Sequence, residues 1–212
     1  MTENVKTNFI SQAWLVLFLA ICFGGLLAGV QILLGPTIEA NKINETLEKV
    51  PEMVFGAAHA QELAARKQAV DVMPLSVEVE KAGKTIRYSI FEAKTEGQLA
   101  GWVAKTSGQG YADKIEMLIG FDPQVEKITG LYVLDQKETP GLGNKIVTDA
   151  WRGQFLAKST GQALTAVKGQ AKAGNEIDAI TGATISSKAV TDIINTAVND
   201  LRQPLIAKAK GK

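Results

Sequence analysis

Between Thr7 and Ile38 the chain carries no charged side chain. The centre of that run, W-L-V-L-F-L-A-I-C-F-G-G-L-L-A-G-V-Q-I-L-L, is as long as the ~20 apolar residues that one helical membrane crossing needs. A cleaved signal peptide is the competing reading. The run exceeds the ~7–15-residue apolar core of such peptides and lacks a small-x-small cleavage site before it ends. L-A-I-C at Leu19 to Cys22 also falls short of a lipoprotein cleavage box, because Ile21 is bulky and the apolar run continues well past the cysteine. A retained N-terminal anchor follows, with a tail over 1–10 and a membrane helix over 11–34. Gly25 and Gly29 form a G-x-x-x-G that lets a second helix approach closely. Charge leaves the orientation open: Lys6 and the amino terminus flank one end, Lys42 and Lys49 the other.

Beyond the anchor, residues 35–74 read as a helical connector. Ile43, Leu47, Val50 and Val54 recur at helical offsets, and Pro51 is expected to divide the segment into two short helices. The strand pattern then begins near Leu75. S-V-E-V-E-K and T-I-R-Y-S-I-F-E-A-K alternate about the turn A-G-K, which predicts a hairpin. L-A-G-W-V-A-K-T, K-I-E-M-L-I-G-F-D and I-T-G-L-Y-V-L-D-Q-K supply three further runs separated by short turns. A helix with Ile146, Ala150 and Phe155 on one face and a strand in A-L-T-A-V-K follow. Ile185, Ala189, Val190, Ile193, Ile194, Ala197, Val198 and Leu201 then mark one face of a closing helix. The fold class expected is α+β: one transmembrane helix, then a domain over 75–204 built on a mainly antiparallel sheet with flanking helices. A basic tail over 205–212 completes the chain.

Composition removes several kinds of chemistry. With 23 basic and 22 acidic side chains the net charge is +1, so no basic stripe points to nucleic acid. One cysteine, Cys22, and one histidine, His59, exclude an intrachain disulfide, a Cys/His zinc set and a four-cysteine iron–sulfur site. His59 lies in A-A-H-A with no G-x-S-x-G for a nucleophile, and reads as an ordinary surface or packing residue. No metal site is expected, and demanding redox chemistry must come from a cofactor held by other residue types.

Two stretches can hold one. E-T-P-G-L-G, Glu138 to Gly143, joins a strand to a helix, and its proline and glycines allow a tight turn that brings backbone and Leu142 against a flat ligand. It also reads as a plain connection, and G-L-G-N-K-I fails the dinucleotide pattern because Ile146 replaces the last glycine. D-A-I-T-G-A-T, Asp178 to Thr184, precedes the closing helix, with Thr184 or Ser186 in the expected N-cap position. Gly182 and Ala183 leave the Thr184 hydroxyl accessible, and a helix start stabilises an anion by ~0.3–1 kcal/mol at an exposed site. Simple capping accounts for the threonine equally well.

E-T-P-G-L-G followed some forty residues later by D-A-I-T-G-A-T resembles the covalent-flavin domains of membrane electron-transport complexes. The nearest resemblance is to the G subunits of Rnf complexes. The related C subunits of sodium-pumping NADH:quinone oxidoreductases share both motifs and are usually longer. The resemblance implies an FMN-binding domain over 75–204, with FMN phosphoester-linked to Thr184 by a separate flavin transferase that recognises Asp178, Thr181, Gly182 and Ala183. It implies that Glu138, Thr139, Pro140, Gly141, Leu142 and Gly143 lie along the isoalloxazine ring, with Lys145 and Tyr111 as further contacts. It also implies a single-pass protein of the bacterial cytoplasmic membrane, its domain on the outer side, carrying electrons among other subunits of an ion-translocating complex that couples ferredoxin and NAD. The alternatives are a quinone-reductase C subunit and an anchored binding domain without a cofactor, in which T-G-A-T only caps a helix.

Overall fold

The computed structural model describes residues 9–66, 68–81 and 83–211. Residues 1–8 of the expected N-terminal tail, Lys6 among them, and Lys212 lie outside the described residues. The chain divides into two compact units, Met1–Glu45 and Thr46–Lys212. The first holds most of α1 (Phe9–Phe55), in which Trp14, Leu17, Leu26, Leu27, Ile32 and Leu33 are all exposed. Over this stretch the helix is apolar and exposed, and it is long and apolar enough to cross a membrane, as the uncharged run implied.

The expected break at Pro51 is absent. α1 runs through Pro36 and Pro51 to Phe55, and the interruption falls at Gly56, whose φ of +79° opens α2 (Ala57–Ala65). Proline forfeits one backbone hydrogen bond, but Val50, Met53 and Val54 on that last stretch of α1 are all buried, which offsets the loss. Glycine alone adopts a positive φ without strain, so it ends the helix.

The second unit is built on an antiparallel five-stranded meander in the order β1 (Val70–Lys81), β2 (Lys84–Thr95), β3 (Gln98–Gln109), β4 (Lys114–Phe121) and β5 (Ile128–Asp135). The five expected runs are all strands, and β1 begins five residues earlier than Leu75. Alternation sorts their side chains into two cores. Tyr88, Ile90, Trp102, Ala104, Ile115, Met117, Ile119 and Phe121 face one way, against Val190, Ile194, Ala197, Leu201 and Leu205 of α4 (Thr184–Lys210). Phe91, Ala93, Val103 and Leu118 face the other way, against Val50, Met53 and Val54 at the end of α1. Gly101, Gly120 and Gly130 make room for that helix end. A Cβ on Gly130 would lie 2.7 Å from the Met53 carbonyl oxygen, and one on Gly101 2.8 Å from Val54 Cγ1. The Thr129 hydroxyl donates to the same Met53 carbonyl at 2.7 Å.

Three local expectations change. The helix after Gly143 is a 3₁₀ turn (Gly143–Val147), the single turn α3 (Asp149–Arg152) and a second 3₁₀ turn (Gly153–Phe155); Ile146, Trp151 and Phe155 are buried, while Ala150 is exposed. The strand β6 (Thr165–Val167) finds a partner that has no alternating pattern, β7 (Glu176–Asp178), in parallel pairing. The basic tail continues α4 through Pro204 to Lys210, because Leu205 is fully buried; Lys208 and Lys210 lie at the negative end of the helix.

One polar group crosses the α4 core. Asp200 accepts from the Tyr88 hydroxyl at 2.7 Å and from Lys81 Nζ at 2.9 Å, so the β1–β2 hairpin is tied to the helix. Burial, then the hydrogen bond to Asp200 and its charge, push the Tyr88 phenol well above its usual range. A folded-state value raised above the unfolded one gives stability that is complete below about pH 10, the ordinary tyrosine value, and that declines as pH rises above it. Denaturant titrations should therefore show stability falling above about pH 10, and Tyr88→Phe should flatten that decline. Gly120→Ala places a methyl group against the Met53 carbonyl and should cost about 1–3 kcal/mol in the same assay.

Candidate functional site

The first turn of α4 forms one wall of a cleft of about 740 Å³, within the ~300–1,000 Å³ usual for small-molecule sites. Thr184 is its first helical residue and is half-buried. The N-cap position belongs to Ala183, at φ −133° and ψ 42°, and no side chain caps the helix, so neither Thr184 nor Ser186 has the capping role that its position in the sequence allowed. Instead Ser187 braces the turn: its hydroxyl accepts from the Ile180 N–H and donates to the Ala183 carbonyl, each at 3.0 Å. Gly182, at φ +82°, closes the turn, and a Cβ there would lie 2.9 Å from Leu142 Cδ2 across the cleft.

The E-T-P-G-L-G loop supplies a second wall, but only in part. Thr139, Leu142 and Gly143 line the cleft. Pro140 and Gly141 sit on the exposed turn outside the lining, and Lys145 lies in the following 3₁₀ turn, exposed and outside it. Glu138 is buried below the loop. Its Oε1 accepts from the Ala112 N–H at 3.0 Å, and its Oε2 accepts from the Ser186 hydroxyl. Tyr111, next to Ala112 at the tip between β3 and β4, is exposed and reaches the cleft.

The third wall was not anticipated. Lys168 and Gly169 follow β6, and Ala179 and Ile180 follow β7; all four line the cleft, as do Ile185 and Ser186. The β6–β7 pairing brings them together: Val167 faces Asp178, and the Ala179 N–H donates to the Val167 carbonyl at 2.8 Å. Asp178 itself lies outside the lining. Its carboxyl accepts from the Ala171 N–H, its N–H donates to Gln154 Oε1 at 2.7 Å, and its carbonyl accepts from Trp151 Nε1 at 2.8 Å. It holds the loop that carries Lys168. The strand expected in A-L-T-A-V-K was the one available signal for this wall.

The cleft thus gathers Tyr111, Thr139, Leu142, Gly143, Thr181, Gly182, Ala183 and Thr184. Its lining is chemically divided. Leu142, Ile180, Ile185 and the Tyr111 ring form apolar surface for a flat ring system. The start of α4 offers backbone N–H groups without intrahelical partners, which suits a phosphate, and Lys168 adds a positive charge to the lining. Among the described residues no group of three or more His, Cys, Asp or Glu side chains can hold a metal ion.

The chain is similar to known proteins, and one of the matches falls on this region. The family model of the FMN-binding domain matches residues 110–199, a stretch that contains every residue lining the cleft. The chain is 34% identical over 164 residues to the G subunit of the Na(+)-translocating ferredoxin:NAD(+) oxidoreductase complex of Acetobacterium woodii, with 76% of each chain covered. It is 27% identical over 175 residues to the C subunit of the Na(+)-translocating NADH-quinone reductase of Vibrio anguillarum, covering 76% of this chain and 68% of that one. The crystal structure of Shewanella oneidensis NqrC has the same fold, with a TM-score of 0.65 at 19% identity over 82% of this chain and 100% of that one. A lining of apolar side chains beside a helix start and one lysine fits FMN, which has a flat ring and a phosphate.

Proposed function

The chain belongs to the G-subunit family of Rnf-type ion-translocating oxidoreductase complexes, and from that premise we propose that it is the membrane-anchored electron carrier of a complex coupling ferredoxin and NAD, with FMN joined to Thr184 through a phosphoester bond. The observation that carries this reading is the position of Thr184 on the wall of the cleft, at an uncapped helix start. When bound, FMN supplies the electron transfer, and the protein supplies orientation and electrostatics. The start of α4 holds the phosphate negative charge. Leu142, Tyr111, Ile180 and Ile185 would give the ring apolar contact. Lys168, in the lining, would favour negative charge on the reduced ring system by Coulomb attraction.

Maturation needs a flavin transferase that reads the exposed turn Thr181–Gly182 together with Ala183 and Thr184, while Asp178 keeps the neighbouring loop in place. The apolar part of α1 anchors the protein in the bacterial cytoplasmic membrane, with the domain on the outer side. A covalent bond suits that side, since a dissociated cofactor would be lost there. The greater identity to the Acetobacterium G subunit favours this assignment over a quinone-reductase C subunit. Co-purification with iron–sulfur subunits tests that choice.

Two measurements test the cofactor assignment. After co-expression with a flavin transferase, denaturing electrophoresis under ultraviolet light should give a fluorescent band for the wild type and none for Thr184→Val, and the intact mass should rise by one FMN. An equally fluorescent Thr184→Val band overturns the linkage, and a colourless wild type favours the anchored binding domain. Lys168→Ala should lower the flavin reduction potential by on the order of tens of millivolts, the electrical equivalent of a ~1 kcal/mol screened attraction. Lys145→Ala, altering a lysine outside the cleft, should leave it unchanged.

A further inference from the structure

We propose that Glu138 is a positioning residue that sets the geometry of the cleft through Ser186 and Ala112, without touching the cofactor itself. The inference rests on the cleft being the flavin seat, and it concerns how that seat is held. Glu138 is 4% exposed and absent from the cleft lining, although Tyr111, Thr139 and Ser186 around it are in the lining. One carboxyl oxygen accepts from the Ala112 N–H at 3.0 Å, beside Tyr111. The other accepts from the Ser186 hydroxyl, two residues after Thr184. The Glu138 N–H is itself held by Gln136 Oε1 at 2.6 Å. One side chain thereby joins the β3–β4 tip, the E-T-P-G-L-G loop and the first turn of α4. No two of these segments are neighbours in the sequence.

Two glycines leave the room that the carboxyl group occupies. A Cβ on Gly143 would lie 2.7 Å from Ser186 Oγ and 2.9 Å from Glu138 Oε2. A Cβ on Gly110 would run into Glu138 Oε1 and lie 2.7 Å from the Asp113 carbonyl and 2.8 Å from Ile115 Cδ1. The Gly110 N–H meanwhile donates to that Asp113 carbonyl at 2.8 Å, closing the tip that presents Tyr111. These two glycines therefore serve the clasp: each removes a side chain that would displace the carboxyl oxygens. The second glycine of E-T-P-G-L-G and the glycine before Tyr111 have the same physical reason.

Buried hydrogen bonds to a carboxyl group in two directions fix distance as well as affinity, so loosening one arm lets the opposite wall drift. Glutamine has the same shape and keeps both bonds. Its carbonyl accepts from the Ala112 N–H, and its amide donates to a Ser186 hydroxyl turned the other way. Alanine at either position breaks the clasp.

The test uses the full-length protein in detergent, comparing wild type, Glu138→Gln, Glu138→Ala and Ser186→Ala, with near-ultraviolet circular dichroism confirming the fold. Hydrogen–deuterium exchange at the Ala112 amide is measured without flavin, and the initial rate of flavin loading with limiting transferase. Glu138→Ala and Ser186→Ala should each exchange Ala112 and load flavin with about tenfold changes, faster and slower respectively, while Glu138→Gln stays within about twofold of wild type in both, the scale expected for one hydrogen bond lost or kept. Ser186→Ala carries the test if Glu138→Ala does not fold. Wild-type exchange and loading in Ser186→Ala would overturn the proposal, and so would a Glu138→Gln protein as impaired as Glu138→Ala. Failure of the cofactor reading is recognised separately: the wild type then takes up no flavin at Thr184, while Ala112 exchange still reports on the clasp.

Discussion

A five-stranded sheet with apolar side chains on both faces has to be covered twice, and this domain uses its two long helices to do so. The α4 face buries Leu201, Leu205, Val190 and Ile194 against Trp102, Phe121 and the alternate positions of β4. The opposite face is smaller and receives the last turns of α1. At about 1.5–3 kcal/mol for each large apolar side chain removed from water, either layer outweighs the local irregularities it imposes. Pro51 and Pro204 both stay inside helices for that reason. The glycines of β3, β4 and β5 are the matching requirement on the sheet, since a backbone can approach it that closely only where side chains are missing.

The cleft follows from how α4 is laid down. Its buried face fixes the helix axis on the sheet, so its first turn comes to the end where the β3–β4 tip and the loop after β5 emerge. Segments from four parts of the chain then meet, and two kinds of polar contact hold them. Glu138 joins Ala112 and Ser186 from beneath, and Asp178 and Ser187 hold the turn and loop on the far side. Few of these polar groups face the cleft. The lining is left to apolar side chains, one lysine, small residues and threonines, an arrangement suited to a flat ring carrying a phosphate.

Much of this was readable beforehand because it depends on local periodicity. The uncharged run of α1, the alternation of five strands and the stripe of α4 each express the geometry of one element, and each appears where the pattern puts it. Less was readable where one segment depends on another. β7 has no alternating pattern and exists only because β6 lies beside it. Lys168 sits in a V-K-G with no distinguishing pattern and reaches the cleft through that pairing, whereas Lys145, close to the conspicuous loop, stays outside it. Asp178 belongs to the D-A-I-T-G-A-T string but commits its carboxyl to Ala171.

Sequence alone determined an N-terminal helix long and apolar enough to cross a membrane, the α+β class, the lack of a cysteine or histidine set for thiol or zinc chemistry, and the two motifs whose resemblance names a flavin. These rest on hydropathy, periodicity and residue type, which need no partner in space. Only the tertiary structure decided which motif residues line the cleft and which hold them in place. Thr184, Leu142 and Tyr111 came to the surface of one cleft, while Glu138 turned inward to Ser186. The physical reason is that a hydrogen bond across 48 positions leaves no periodic trace in the chain. It exists only once the hydrophobic layers have set α4 against the sheet.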